Sequence, residues 1–118
     1  MSEPEPVDRA AYAELLESVG GDAAFVAELT DAFAVDAARL VGCMRAAAEA
    51  GRPADVAQAV HQLKSSSASL GAAHLPELCS ALEAEVRTGS SQDLVERVRA
   101  IETEVSRVTL MLRVLGAS

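Results

Sequence analysis

The chain has 118 residues, half of them apolar, and a net charge of −8. That length suits one domain with a single core, and the acidic balance speaks against nucleic acid and anionic membrane surfaces as partners. Aromatic residues are limited to Tyr12, Phe25 and Phe33, so the apolar mass is Ala, Val and Leu, which favours close-packed helices over a β-sandwich.

Residues 1–7, with Glu3-Pro4-Glu5-Pro6, read as a disordered lead-in, and residues 8–118 as one helical domain. Asp8 is placed to cap a short helix running to about Ser18, with Tyr12, Leu15, Leu16 and Val19 as its apolar side. Gly20-Gly21 ends it, and Asp22 caps a second helix over about 23–50, in which Val26, Leu29, Phe33, Ala37, Leu40, Met44 and Ala47 recur at three and four. Gly51-Arg52-Pro53 combines a stop with a start, and a third helix is expected over about 54–69. Its stripe is Val56, Ala59, Val60, Leu63, Ser67 and Leu70.

Gly71 closes that helix. Pro76 is tolerable only in a first turn, so a fourth helix begins near 73 with Leu75, Leu78, Cys79, Leu82 and Val86 on its stripe. Arg87 to Ser91 form a loop, with Ser90 and Asp93 spaced as a capping box. The last helix, about 91–115, alternates fours and threes through Leu94, Val98, Ile101, Val105, Val108, Leu112 and Leu115. A coiled coil or an oligomerisation unit fits that helix alone. An antiparallel four-helix bundle with short loops buries all four long stripes at once, with the first helix covering one end.

Cys43 and Cys79 both fall on apolar stripes with no zinc spacing, and read as two reduced core thiols of a cytoplasmic protein. No apolar run nears the roughly 18 residues that span a bilayer, and no secretion signal opens the chain. Charge is unevenly spread. Residues 1–36 hold nine acids against Arg9, whereas between Val56 and Pro76 the only permanent charge is Lys64, the sole lysine of the chain. A nearly neutral window in an acidic protein suits the docking of an acidic partner pocket.

No Gly-rich phosphate loop, nucleophile elbow or H-E-x-x-H occurs, so neither nucleotide binding nor hydrolysis is expected, and no metal site. What remains is His61. On the helical wheel it lies roughly 140° from the centre of the apolar stripe, so it faces water. Ser65 and Ala68 follow at i+4 and i+7, leaving a small-residue face around it. An exposed imidazole is largely neutral at pH 7 and its ring nitrogen is a competent nucleophile towards phosphorus. Lys64 can steady phosphoryl oxygens as a point charge. His74 reads as a polar residue at a helix start. A solitary exposed histidine is more often idle, and these residues alone leave that reading open.

The constellation as a whole says more. His61-x-Leu63-Lys64-x-Ser66-Ser67-x-x-x-Gly71-Ala72-x-x-Leu75-x-x-Leu78-Cys79-x-x-Leu82-Glu83 resembles the signature of histidine-containing phosphotransfer (HPt) domains of bacterial two-component phosphorelays. Upstream, Leu15-x-x-x-Val19-Gly20-Gly21-Asp22-x-x-Phe25-x-x-Glu28-Leu29 is similar to the family's first helix and following turn, and the likeness runs from about Val7 to about Leu112. The resemblance implies an all-α, mostly antiparallel four-helix bundle that carries phosphate without nucleotide site or turnover of its own. His61 would be the phosphoacceptor and Lys64 the stabilising cation. The partners implied are a response-regulator receiver domain, with Mg²⁺ held on its acids, and a hybrid sensor histidine kinase. The docking set is expected to be Ala57, Gln58, Gln62, Ser65, Ala68 and Gly71 on a monomeric protein. The family usually has Gly after the lysine; Ser65 stands there instead. The rival expectation is a docking module that binds a receiver and never carries phosphate.

Overall fold

The computed structural model describes residues 5–89 and 93–117. Five helices follow one another: α1 (Arg9–Ser18), α2 (Ala23–Glu49), α3 (Pro53–Ser69), α4 (Leu75–Thr88) and α5 (Leu94–Gly116). Among the described residues there is no strand beyond a single bridge between Val7 and Ala72. No helix is long and apolar enough to cross a membrane.

The helix starts follow the local chemistry. The Asp8 carboxylate accepts the N–H groups of Ala10 and Ala11 at 2.8 and 3.2 Å, and Asp22 accepts that of Phe25 at 3.0 Å. Pro53 opens α3, and Pro76 sits in the first turn of α4, where the missing N–H would have no helical partner anyway. α4 begins at Leu75, two residues later than the start near 73 expected from Pro76, and the Ala73 N–H before it donates to the Pro6 carbonyl at 3.0 Å. α5 begins at Leu94 rather than near 91, with Asp93 at its cap position making no side-chain cap. Ser90 of the expected capping box lies outside the described residues.

α2 packs against α3 and α5, α3 against α4, and α4 against α5. Asp31 pairs with Arg113 and Arg45 with Glu102, so the residue numbers of α2 and α5 run in opposite senses and the two helices are antiparallel. The core draws on every long helix: Leu40 and Met44 from α2, Leu63 from α3, Leu75 and Leu82 from α4, Ile101 and Leu112 from α5. α1 covers the end where α3 turns into α4. Gly71 there has φ +86°, and a Cβ added to it would lie 3.2 Å from Ala11 Cβ, so only glycine fits both the backbone and the approach of α1.

Two expectations need correction. The lead-in does not run through residue 7: Val7 is fully buried in the core, and the Asp8 N–H donates to the Gly71 carbonyl at 2.9 Å. An apolar side chain and two backbone hydrogen bonds hold this stretch to the α3–α4 turn. Nor are both thiols internal. Cys79 is buried, but Cys43 is exposed, because it sits beside Arg39 on the flank of α2 while Leu40, Met44 and Ala47 take the buried stripe.

If Val7 is part of the core, Val7→Ala should lower stability to urea by about 2 kcal/mol, from lost burial and the cavity left behind. A variant as stable as the wild type would show that residues 5–7 contribute nothing to the fold.

Candidate functional site

The site grows from the serine-rich stretch of α3. Serine competes for backbone hydrogen bonds, and here the competition is resolved within the helix: Ser66, Ser67 and Ser69 donate to the carbonyls of Leu63, Lys64 and Ser65 at 3.1–3.2 Å. Ser67 is thereby buried with its hydroxyl satisfied. Val56, Ala59, Val60 and Leu63 anchor the opposite side of the helix in the core. With that stripe fixed, His61 is turned outward, its side chain 68% exposed.

α4 returns alongside α3 after a turn near residue 72, so positions equally far from that turn meet. His61 and Glu83 are such a pair. The Glu83 side chain is 22% exposed, and its Oε2 lies 3.1 Å from His61 Nδ1. Its other oxygen, Oε1, lies 3.0 Å from Lys64 Nζ. That oxygen is buried and makes no directed hydrogen bond, so the Lys64 contact is a charge pairing. One carboxylate therefore touches both residues singled out in the sequence.

Burial alone would raise the pKa of Glu83; the contacts with Lys64 and His61 outweigh it and hold the carboxyl below its ordinary value. Glu83 is ionised at neutral pH and can only accept. The contact with Nδ1 therefore requires a proton on that nitrogen, so that in the neutral ring the lone pair is on Nε2. Among the described residues Nε2 has no partner. Beneath the site, burial pushes the Cys79 thiol up to about 12, Glu83 adding to the shift and Lys64 opposing it. Cys79 is a protonated packing residue without nucleophilic character.

The other expected site residues divide. Gln58, Ser65 and Ala68 are exposed and Ala57 is half-buried, at i−3, i+4, i+7 and i−4 from His61, so they share its face. Gln62 is exposed but turned to the α2–α3 side, where it and Gln58 line a groove of about 430 Å³ with Arg39 and Cys43. Gly71 does not belong to an open docking surface, because Ala11 of α1 packs over it. His74 is half-buried 3.7 Å from Glu77, at the start of α4. Among the described residues no group of three His, Cys, Asp or Glu side chains is placed to hold a metal ion.

Glu83 is the residue of this site that the sequence reading assigns no role, naming it only as the last position of the motif. Its signal was present: it closes the Leu82-Glu83 motif, 22 positions after His61, and mirrors that residue across the α3–α4 turn.

An exposed histidine braced by a carboxylate and flanked by a lysine, on a helical bundle, defines a class of protein that carries an imidazole on its surface. The family model described as "Hpt domain" matches residues 28–109, and the chain belongs to that family. It is also similar to a solved structure, the crystal structure of histidine-containing phosphotransfer protein B (HptB) from Pseudomonas aeruginosa PAO1. The TM-score is 0.84 at 25% identity, over 98% of this chain and 97% of that one. No curated protein matches the chain.

A carboxyl whose pKa is lowered by folding contributes stability that is complete above its unfolded value and is lost as pH falls through its folded value. The stability gap between wild type and Glu83→Gln should therefore shrink between about pH 5 and about pH 3 in urea titrations. A gap that stays constant across that window would show that Glu83 is not held ionised by its neighbours.

Proposed function

We propose that the chain is a phosphorelay intermediate, and that His61 takes a phosphoryl group from the aspartyl phosphate of one receiver domain and passes it to another, or returns it. The observation that carries this reading is the geometry at His61: Nδ1 engaged by Glu83, Nε2 directed to solvent from an exposed face. In the transfer, the Nε2 lone pair forms the N–P bond as the P–O bond to the receiver carboxylate breaks. The Nδ1 proton stays in its hydrogen bond to Glu83, which stabilises the positive charge that develops on the ring. Phosphoryl transfer of this kind needs positioning and charge stabilisation more than acid–base chemistry.

Lys64 provides the charge on this side of the reaction. Its Glu83 partner sits between it and His61, so a short movement of Nζ from carboxylate to phosphoryl oxygens would keep it paired throughout. Mg²⁺ on the receiver's acids would supply the remaining neutralisation. The small, uncharged neighbours Ala57, Ser65 and Ala68 let a receiver approach closely. Nothing in this scheme calls for a nucleotide or for turnover in the absence of partners, so the chain acts as a stoichiometric carrier, in the cytoplasm, between a hybrid sensor kinase and a response regulator.

Incubation with a phosphorylated receiver and Mg²⁺ should label the wild type with acid-labile, base-stable phosphate and leave His61→Gln unlabelled; equal labelling of both would remove His61 from the role. No label on the wild type, with complex formation intact, would identify a docking module instead. Lys64→Ala should slow transfer about tenfold, the scale of one charge-assisted contact, with helicity unchanged. Ser65→Gly should transfer as fast as wild type or faster. A large loss on removing the hydroxyl would mean that Ser65 bonds the phosphoryl group.

A further inference from the structure

The most exposed large apolar side chains, Phe25, Val35, Val95, Leu110 and Val114, all belong to α2 or α5; among the described residues none is on α3 or α4. Leu110 and Val114 are 66% and 58% exposed. They lie one turn apart on α5. Along the α2–α5 seam runs a groove of about 510 Å³ lined by the small residues Ala34, Ala38, Ser106 and Thr109, with Leu110 beside them. Smaller depressions continue it at both ends, one sharing Arg45 and Glu102, the other sharing Arg113. This seam lies on the side of the bundle away from the α3–α4 seam that carries His61.

The charges along the groove form a pattern. At one end Asp31 of α2 pairs with Arg113 of α5 at 2.9 Å, and at the other Arg45 of α2 pairs with Glu102 of α5. Asp31 and Arg45 are about 20 Å apart along α2 at 1.5 Å per residue. α2 thus runs acid to base where α5 runs base to acid. A two-fold axis in the plane of this face places every acid of one copy over a base of the other. With the axis along the helices, Asp31 meets Arg113 of the second copy and Arg45 meets its Glu102. With the axis across them, Asp31 meets Arg45 and Glu102 meets Arg113.

We infer that the α2–α5 face is where two copies of this chain associate, as a two-fold dimer whose exposed Leu110, with Val114 one turn along the same helix, packs against the alanine-lined groove of the other copy. Self-complementarity of a single patch is what an isologous interface demands. Two molecules of net charge −8 repel each other over most of their surface; on this face the four groove charges cancel and interlock. The arrangement differs from the monomer expected from sequence, and it leaves His61 of both copies outward and open to receivers. It does not depend on the phosphotransfer reading, because its test is a mass and not a transfer rate.

Sedimentation velocity on the full chain, from about micromolar to about millimolar concentration, should show a dimer that dissociates on dilution. Leu110→Glu and Arg113→Glu, both at exposed positions, should each weaken association at least about tenfold with helicity unchanged. Arg87→Glu makes the same charge change on exposed α4 and should leave the dimer in place. A monomeric mass at every concentration would overturn the inference. So would a dimer that Leu110→Glu leaves intact, or one that Arg87→Glu disrupts as much as Arg113→Glu does.

Discussion

The carboxylate of Glu83 is the contact on which the site depends. It grips His61 at Nδ1 and faces Lys64 with its second oxygen, so one side chain sets the tautomer of the imidazole and holds the cation beside it. Remove it and the imidazole keeps its exposure but loses its orientation, while the ammonium loses the anchor that keeps it near the ring. The contact is available only because α3 and α4 are locked face to face by Leu63, Leu75, Cys79 and Leu82, all buried. The core fixes the helices, the helices fix the carboxylate, and the carboxylate fixes which nitrogen is presented.

The same logic explains why so polar a stretch sits in the middle of a bundle. His61 and Ser65 stand in open water, among neighbours too small and polar to cover them. Serines that bond back to their own helix keep that surface small and uncharged without unwinding it. Large apolar side chains are absent from the exposed faces of α3 and α4 among the described residues and collect on α2 and α5 instead. The bundle separates a small, polar face around His61 from a face that carries exposed large apolar side chains.

Much of this was legible in the letters. The stripe through Val56, Ala59, Val60 and Leu63 set the direction of His61, because a helix held by one buried side leaves no choice about the other. Asp8 and Asp22 marked helix starts through hydrogen bonds that span only a few residues, and Pro53 through its fixed φ. What stayed hidden was tertiary. Periodicity cannot show that Glu83 meets His61 until α4 is folded back on α3. It placed Cys43 on a stripe, when the flank of α2 beside Arg39 is open. The burial of Val7 depends on the turn at Gly71 and Ala72, 64 positions further on, where no local signal reaches. Gly71 illustrates the limit differently: the letter promised a turn, but not that α1 lies on it.

The central claim is that Glu83 leaves Nε2, and not Nδ1, as the nitrogen His61 offers to phosphorus. Long-range ¹H–¹⁵N correlation on the ¹⁵N-labelled, receiver-phosphorylated protein reads this directly. The phosphoryl group should be on Nε2 of His61, with Nδ1 still carrying its proton. Phosphate on Nδ1, or on any residue other than His61, would contradict the account.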